Sequence, residues 1–328
     1  MTDSQKQKIC KICNGQQHKN YTAMELVYGT KKSFNFFLCN NCGCLQMEKI
    51  PKEIADYYPE DFYSYTKKSR KKDLTIKTLI RKARSRYILD GNGISGLILH
   101  RLKKTSALLE TCREIGIKTS HSVLDVGGGT GDFVWQLRSY GITDSIAIDK
   151  FINEDVYVEG KLLAKKTDIF SIDKQFDIIT FHHSLEHMEE QQEPLLHAKK
   201  ILKPNGTILL RIPTVTSYAW EKYGVNWWGM DTPRHFFLHS HASIKLLVEQ
   251  VGLKIKKLWS DSTVSQFWVS EQNLQGISIY AHNSYGVSPE KSIFAKSEID
   301  AFERQTANVN QKNRGDTICI ILKHEDVK

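Results

Sequence analysis

Twelve histidines are spread over 328 residues, yet His182, His183 and His187 fall within six positions, directly after the apolar run Phe176–Phe181. Imidazole gains and loses a proton near neutral pH, so a strand that delivers three of them to one place is a candidate for removing a proton from an acceptor. Hydrogen bonding within the fold is the competing role for His183. The run Asp231–His235 offers a second set. There His235 is a further candidate base, and Arg234 either holds a phosphate or carboxylate or pairs with Asp231 as a structural clamp.

These groups need a frame, and VLDVGGGTGDF, Val123–Phe133, supplies its first unit. A short apolar run is followed by Gly127, Gly128, Gly129 and Gly131, then by an apolar helical pattern through Phe133, Val134 and Leu137. Strand, glycine turn and helix open a doubly wound sheet, whose ligand sits at the carboxyl ends of the strands. The glycines are spaced G-x-G-x-G, not G-x-G-x-x-G as in dinucleotide sites, and no Lys-Ser/Thr pair closes a phosphate loop. Free N–H groups of the helix beginning after Gly131 favour a carboxylate on the ligand. Asp125 holds the turn or reaches the ligand through water. Asp149 ends the next strand pattern, 24 residues after Asp125, near the offset of the ribose-binding acid in such folds. Asp168 follows the third strand pattern, with Ile169 and Phe170 beside it.

Five of the seven cysteines lie in the first 44 residues, and Cys10-x-x-Cys13 and Cys39-x-x-Cys42 are separated by 25 residues. Two such pairs close a tetrahedral zinc site of the ribbon type, in which four thiolates leave no position for water and the metal serves folding. Cys44 is an alternative to Cys42, and redox CxxC chemistry is the remaining reading.

The chain is 40% hydrophobic and 25% charged with a net charge of +9, ordinary for a globular protein. Ten Lys or Arg residues between 67 and 86 face one acid, which reads as a solvated helix face or a contact for an acidic partner. The start is polar and no apolar run nears the roughly 18 residues of a spanning helix, so a cytoplasmic protein is expected. Three regions are expected: a zinc module over 1–50, a connector and helices over 51–118, and an α/β domain over 119–328. That domain carries seven strands, at Ser122–Val126, Ser145–Ile148, Lys161–Lys166, Phe176–Phe181, Gly206–Ile212, Lys254–Trp259 and Thr317–Lys323. The long connection 213–240, with three of six tryptophans inside nine residues, reads as a lid or as core filler.

The glycine spacing after Asp125 resembles motif I of class I S-adenosylmethionine (SAM) methyltransferases. FDIITFHHSLEHMEE and KILKPNGTILLRIPT resemble the later motifs of small-molecule members, including ubiquinone-pathway enzymes with an LEH element, and the likeness covers about 120–258. It implies a Rossmann-like seven-stranded doubly wound sheet with SAM held by Asp125, Gly127, Gly129, Gly131, Asp149, Asp168, Ile169 and His182. Asp168 would accept from the adenine amino group. The catalytic candidates are His183, His187 and His235, with Tyr218, Trp228 and Arg234 on the substrate. DTPRH, Asp231–His235, resembles an element of glycan-cluster methyltransferases, and a four-Cys module ahead of such a domain resembles the deoxysugar C-methyltransferases. The implied acceptor is a nucleotide-linked sugar or glycan precursor, methylated at oxygen or carbon. The alternative is RNA, gripped by the zinc module and the basic segment, though that segment has little aromatic interleaving for stacking bases.

Overall fold

A computed structural model describes residues 8–58, 65, 70, 76–93 and 105–325. Within the expected connector and helices over 51–118, residues 59–64, 66–69, 71–75 and 94–104 lie outside these, and with them eight residues of the basic run 67–86.

Twelve strands among the described residues form two sheets. They are β1 (His18–Met24), β2 (Ser33–Cys39), β3 (Leu45–Met47), β4 (Val123–Val126), β5 (Ser145–Ile148), β6 (Val156–Val158), β7 (Lys161–Lys165), β8 (Phe176–His182), β9 (Leu202–Pro213), β10 (Phe237–Leu238), β11 (Leu253–Ser260) and β12 (Thr317–His324). The large sheet runs β11-β12-β9-β8-β4-β5-β7-β6, with β7, β5, β4, β8 and β9 mutually parallel. Every residue of β4 is buried, as expected for a central strand covered on both faces.

Eight strands stand where seven were expected. The extra one, β6, pairs antiparallel with β7 through a tight turn whose Glu159 and Gly160 both have positive φ, the geometry of a two-residue hairpin. At the other edge β12 enters antiparallel between β9 and β11. KPNG at 203–206 lies inside β9, which therefore begins earlier than the expected Gly206, and the pairing of β9 with β8 shifts register there.

Eight described helices pack around the sheets: α1 (Ile76–Asp90), α2 (Ala107–Glu114), α3 (Asp132–Ser139), α4 (Gln192–Lys200), α5 (Tyr218–Tyr223), α6 (His241–Gln250), α7 (Ser265–Leu274) and α8 (Lys296–Gln311). None is long and apolar enough to cross a membrane.

The cysteine-bearing segment is stitched to the rest. Its strands β1, β2 and β3 are completed by β10, which arrives from the long connection 213–240. One continuous apolar core runs from Cys10, Ile12 and Phe36 through Trp227 and Phe237 to Phe181, Leu210 and Ile320. Sequence-local patterns cannot reveal such a pairing, because β10 is two residues long and its partner lies about 190 positions earlier.

Candidate active site

At the carboxyl ends of β4, β5 and β8 the backbone leaves a cleft of about 1830 Å³, walled on the far side by the cysteine-bearing segment. It is lined by Gly127, Ile148, Asp149, Asp168, Ile169 and Phe170, and also by His183, Ser184, His187 and Phe236.

The glycine turn is forced by close approach. Gly127 has φ +71, and a Cβ there would come within 2.5 Å of that of Ser184, whose hydroxyl donates to the Val126 carbonyl at 2.6 Å. Gly131 has φ +89 and caps α3, with Leu163 packed where a side chain would begin. Asp125 lies beneath the turn, fully buried and accepting from the Thr180 hydroxyl at 2.6 Å. Burial pushes its carboxyl up to about 7 against that hydrogen bond. The folded pKa therefore exceeds the unfolded value near 4, so the stabilisation is complete below about pH 4 and is lost as pH rises through 7. Asp125→Asn is expected to flatten the fall in thermal stability between about pH 5 and pH 8; a wild-type-like slope in melts across that range would contradict the assignment.

Asp149 is 7% exposed and accepts from the backbone N–H of Gly129 at 3.0 Å and of Phe151 at 2.8 Å. Burial raises its carboxyl above the ordinary range, opposed by those two hydrogen bonds. Asp168 is exposed, and one oxygen caps the turn at Ile169–Ser171 through Ser171 N–H. Two exposed rings, Phe151 and Phe170, neighbour these acids.

The histidines divide. His182, expected beside the cofactor, stacks on Phe133 of α3 at 5.1 Å, meets the His183 ring edge-on at 5.3 Å and is not among the cleft-lining side chains. His183, at φ +54, lines the cleft, but its Nε2 accepts from Arg211, which Asp261 anchors at 2.6 Å. Its proton is then on Nδ1, 3.4 Å from Glu186. Burial, the Arg211 charge and His235 push the imidazole down to about 3, so His183 as arranged is not a free base. His187 donates its Nδ1–H to the Arg234 carbonyl at 2.9 Å, and His235 donates its Nδ1–H to that of Gly229 at 2.8 Å. Each keeps Nε2 as its basic nitrogen. Burial and then the neighbouring His235 push His187 down to about 4.

Arg234 is not among the residues that line the cleft. Its side chain is wholly buried, with Nε and Nη2 donating to Asp231, Nη1 to the Tyr57 carbonyl, and Glu25 3.5 Å away. Its guanidinium also lies 5.1 Å from the Tyr28 ring centre. Burial acts to raise the Asp231 carboxyl, but Arg234 and His235 overcome it and hold it at about 2. The clamp reading is the one realised.

Tyr218 and Trp228 are likewise not in the cleft. The Tyr218 ring packs on Phe267, Trp228 is held by a Ser270 hydroxyl on its backbone N–H, and Trp220 lies between Tyr21 of β1 and the buried Trp227. Most aromatics of 213–240 are therefore core, and only Phe236 and Phe237 reach the cleft. Sequence reasoning missed Tyr58 and Tyr65, which also line it, Tyr58 with its hydroxyl 3.3 Å from His187 Nδ1. The density of tyrosines over 56–65 was the available signal.

Behind the far wall, the ligand atoms of Cys10, Cys13, Cys39 and Cys42 all lie within 4.8 Å of one another. The Cys10–Cys42 and Cys13–Cys39 sulfurs are each 3.5 Å apart, against about 3.8 Å for thiolates on one tetrahedral zinc. Hydrogen bonding from Cys42, helped by backbone N–H groups of Cys13 and Ile12 and by Gln46, holds the Cys10 thiol at about 4 despite burial. Cys44 points elsewhere, 3.9 Å from His239, so Cys42 completes the set. Gln46 both donates to Cys10 Sγ at 2.9 Å and lines the cleft, so the cluster braces its wall.

Residues 98–258 match the family model described as a methyltransferase domain. The chain is a SAM-dependent methyltransferase. It is similar to the ubiquinone/menaquinone biosynthesis C-methyltransferase UbiE of Cupriavidus taiwanensis, 26% identical over 179 residues, covering 47% of this chain and 71% of that one. The UbiE of Pseudoalteromonas translucida is 25% identical over 219 residues, covering 59% and 84%. Among solved structures, a SAM-dependent methyltransferase from Archaeoglobus fulgidus aligns with a TM-score of 0.40 at 21% identity, covering 70% of this chain and all of that one.

Proposed function

We propose that this methyltransferase moves the methyl group of SAM to a small sugar-like acceptor, of the nucleotide-linked class, at oxygen or carbon. The observation that carries the reading is a single cleft lined by Asp149 and Asp168 together with His183 and His187. In-line displacement at a sulfonium needs the acceptor aligned and water excluded, and a walled cleft of this kind supplies both.

Asp149 accepts the ribose hydroxyls with lone pairs left over from Gly129 and Phe151. Asp168 takes the adenine amino group, and Ile169 packs on the ring. Gly127, Gly129 and Gly131 bring the backbone close to the methionine end, with Asp125 fixing the turn. On the acceptor side His183 and His187 line the cleft, with His235 packed behind His187. Lys49 and Lys52, on the cysteine-bearing wall, make no ion pair among the described residues and suit a diphosphate. The C-methyltransferase names of the relatives favour carbon as one of the two acceptor atoms. Incubation with methyl-labelled SAM is expected to label a nucleoside diphosphate sugar. Labelling of tRNA or rRNA instead, with none in the sugars, would select the RNA alternative.

The four cysteines, in this reading, hold a structural zinc. Cys10→Ser is expected to remove the metal and lower stability by about 2 kcal/mol or more. Cys44→Ala should keep full zinc content by elemental analysis, and zinc-free wild-type protein with an unchanged Tm would contradict the site.

A further inference from the structure

Next to His187, which lines the cleft, lies a buried carboxylate with no hydrogen bond. Glu186 is 1% exposed, and neither of its side-chain oxygens has a hydrogen-bond partner. A buried ionised group in that state is costly unless a cation compensates it. Its neighbours are imidazoles: the ligand atoms of Glu186, His187 and His235 lie within 4.8 Å of one another, His235 Nε2 is 3.9 Å from Glu186 Oε1, and His183 Nδ1 is 3.4 Å from the same oxygen without forming a hydrogen bond. Arg234 is committed to Asp231.

The two rings carry the outer hydrogen bonds that metal-ligating histidines require. Each donates Nδ1–H to a backbone carbonyl, of Arg234 and of Gly229 respectively, which fixes the tautomer and leaves Nε2 as the electron-pair donor. Both carbonyls belong to the segment 229–234, so the Asp231–Arg234 clamp positions both ligands.

We propose that Glu186, His187 and His235 bind a divalent transition-metal ion, distinct from the cysteine site and reached from the cleft at His187. Two imidazoles and one carboxylate suit Mn(II), Fe(II), Co(II) or Zn(II) and leave positions for oxygen atoms of an acceptor. The consequence for catalysis rests on the methyltransferase reading: an acceptor hydroxyl bound to the ion loses its proton more readily, where His183 is already engaged by Arg211. The binding itself does not depend on that reading.

The test uses the full chain and Mn(II), which thiolate clusters do not select. Loss of the free-ion paramagnetic resonance signal is expected to show one Mn(II) bound per chain. Glu186→Gln and His235→Gln should each weaken binding at least tenfold while the zinc content of the cysteine cluster stays constant. Mn(II) should also raise the Tm of the wild type and not that of Glu186→Gln, which answers the question even if one variant melts early. No Mn(II) bound by the wild type, or unchanged binding in Glu186→Gln, overturns the proposal. Calorimetry of SAM on the same samples separates the two claims: intact SAM binding without Mn(II) binding sinks the metal site alone, and absent SAM binding sinks the functional reading.

Discussion

Asp149→Ala is expected to abolish SAM binding, with affinity falling by more than about 100-fold and the fold kept. A buried carboxylate hydrogen-bonded to both hydroxyls of a ribose contributes two charge-assisted bonds, each of about 1.5–3 kcal/mol. Without the ligand, its partners are the backbone N–H groups of Gly129 and Phe151, at the mouth of the cleft where water replaces the lost acceptor. Stability therefore changes little, and the absence of a carboxylate held above its ordinary pKa by burial partly offsets the lost hydrogen bonds. Isothermal calorimetry with SAM reads the affinity, and a thermal melt reads the fold. Unchanged affinity would refute the ribose assignment, whereas a collapsed melt would make Asp149 a structural brace of the glycine turn.

Arg234→Ala has the opposite profile: a large loss of stability, of about 3–5 kcal/mol, because Asp231 and Glu25 are left buried with no countercharge. The clamp spans distant parts of the chain, reaching the Tyr57 carbonyl and the Tyr28 ring from the end of the long connection. Its removal should also loosen β10 and with it the cleft wall. Chemical denaturation measures the loss. A variant as stable as the wild type but with a raised KM for the acceptor would return Arg234 to the role of a substrate contact.

The difference between these two residues describes what a sequence discloses. The place of Asp149 in the cleft is legible because it is tied to a local pattern: an apolar strand after the glycine turn ends where the sheet must present its ligand. The same holds for the cysteines, whose two short pairs carry their own geometry. Arg234 is not legible in the same way. DTPRH supports either a clamp or a substrate contact, and the choice depends on Glu25 and Tyr57, more than 170 residues earlier. His183 is legible as a cleft residue, yet its partner Arg211 sits on the neighbouring strand β9, and that contact turns an expected base into a wall. The aromatic connection misleads in part because composition cannot tell an exposed ring from a packed one. Trp227 makes the point: it is 1% exposed and its indole N–H donates to Asp316 at 3.0 Å. Glu186, finally, lies in the LEH element that the sequence marks, but its lack of hydrogen-bond partners is visible only in three dimensions.

In the proposed mode, the cleft between the large sheet and the cysteine-bearing wall holds SAM with its sulfur turned towards the histidine end. A crystal structure with S-adenosylhomocysteine tests this most directly. The expected result is one ligand per chain with both ribose hydroxyls on Asp149, the adenine amino group at Asp168, and the sulfur facing the His183–His187 side. A ligand bound elsewhere, or one whose ribose makes no contact with Asp149, would contradict it.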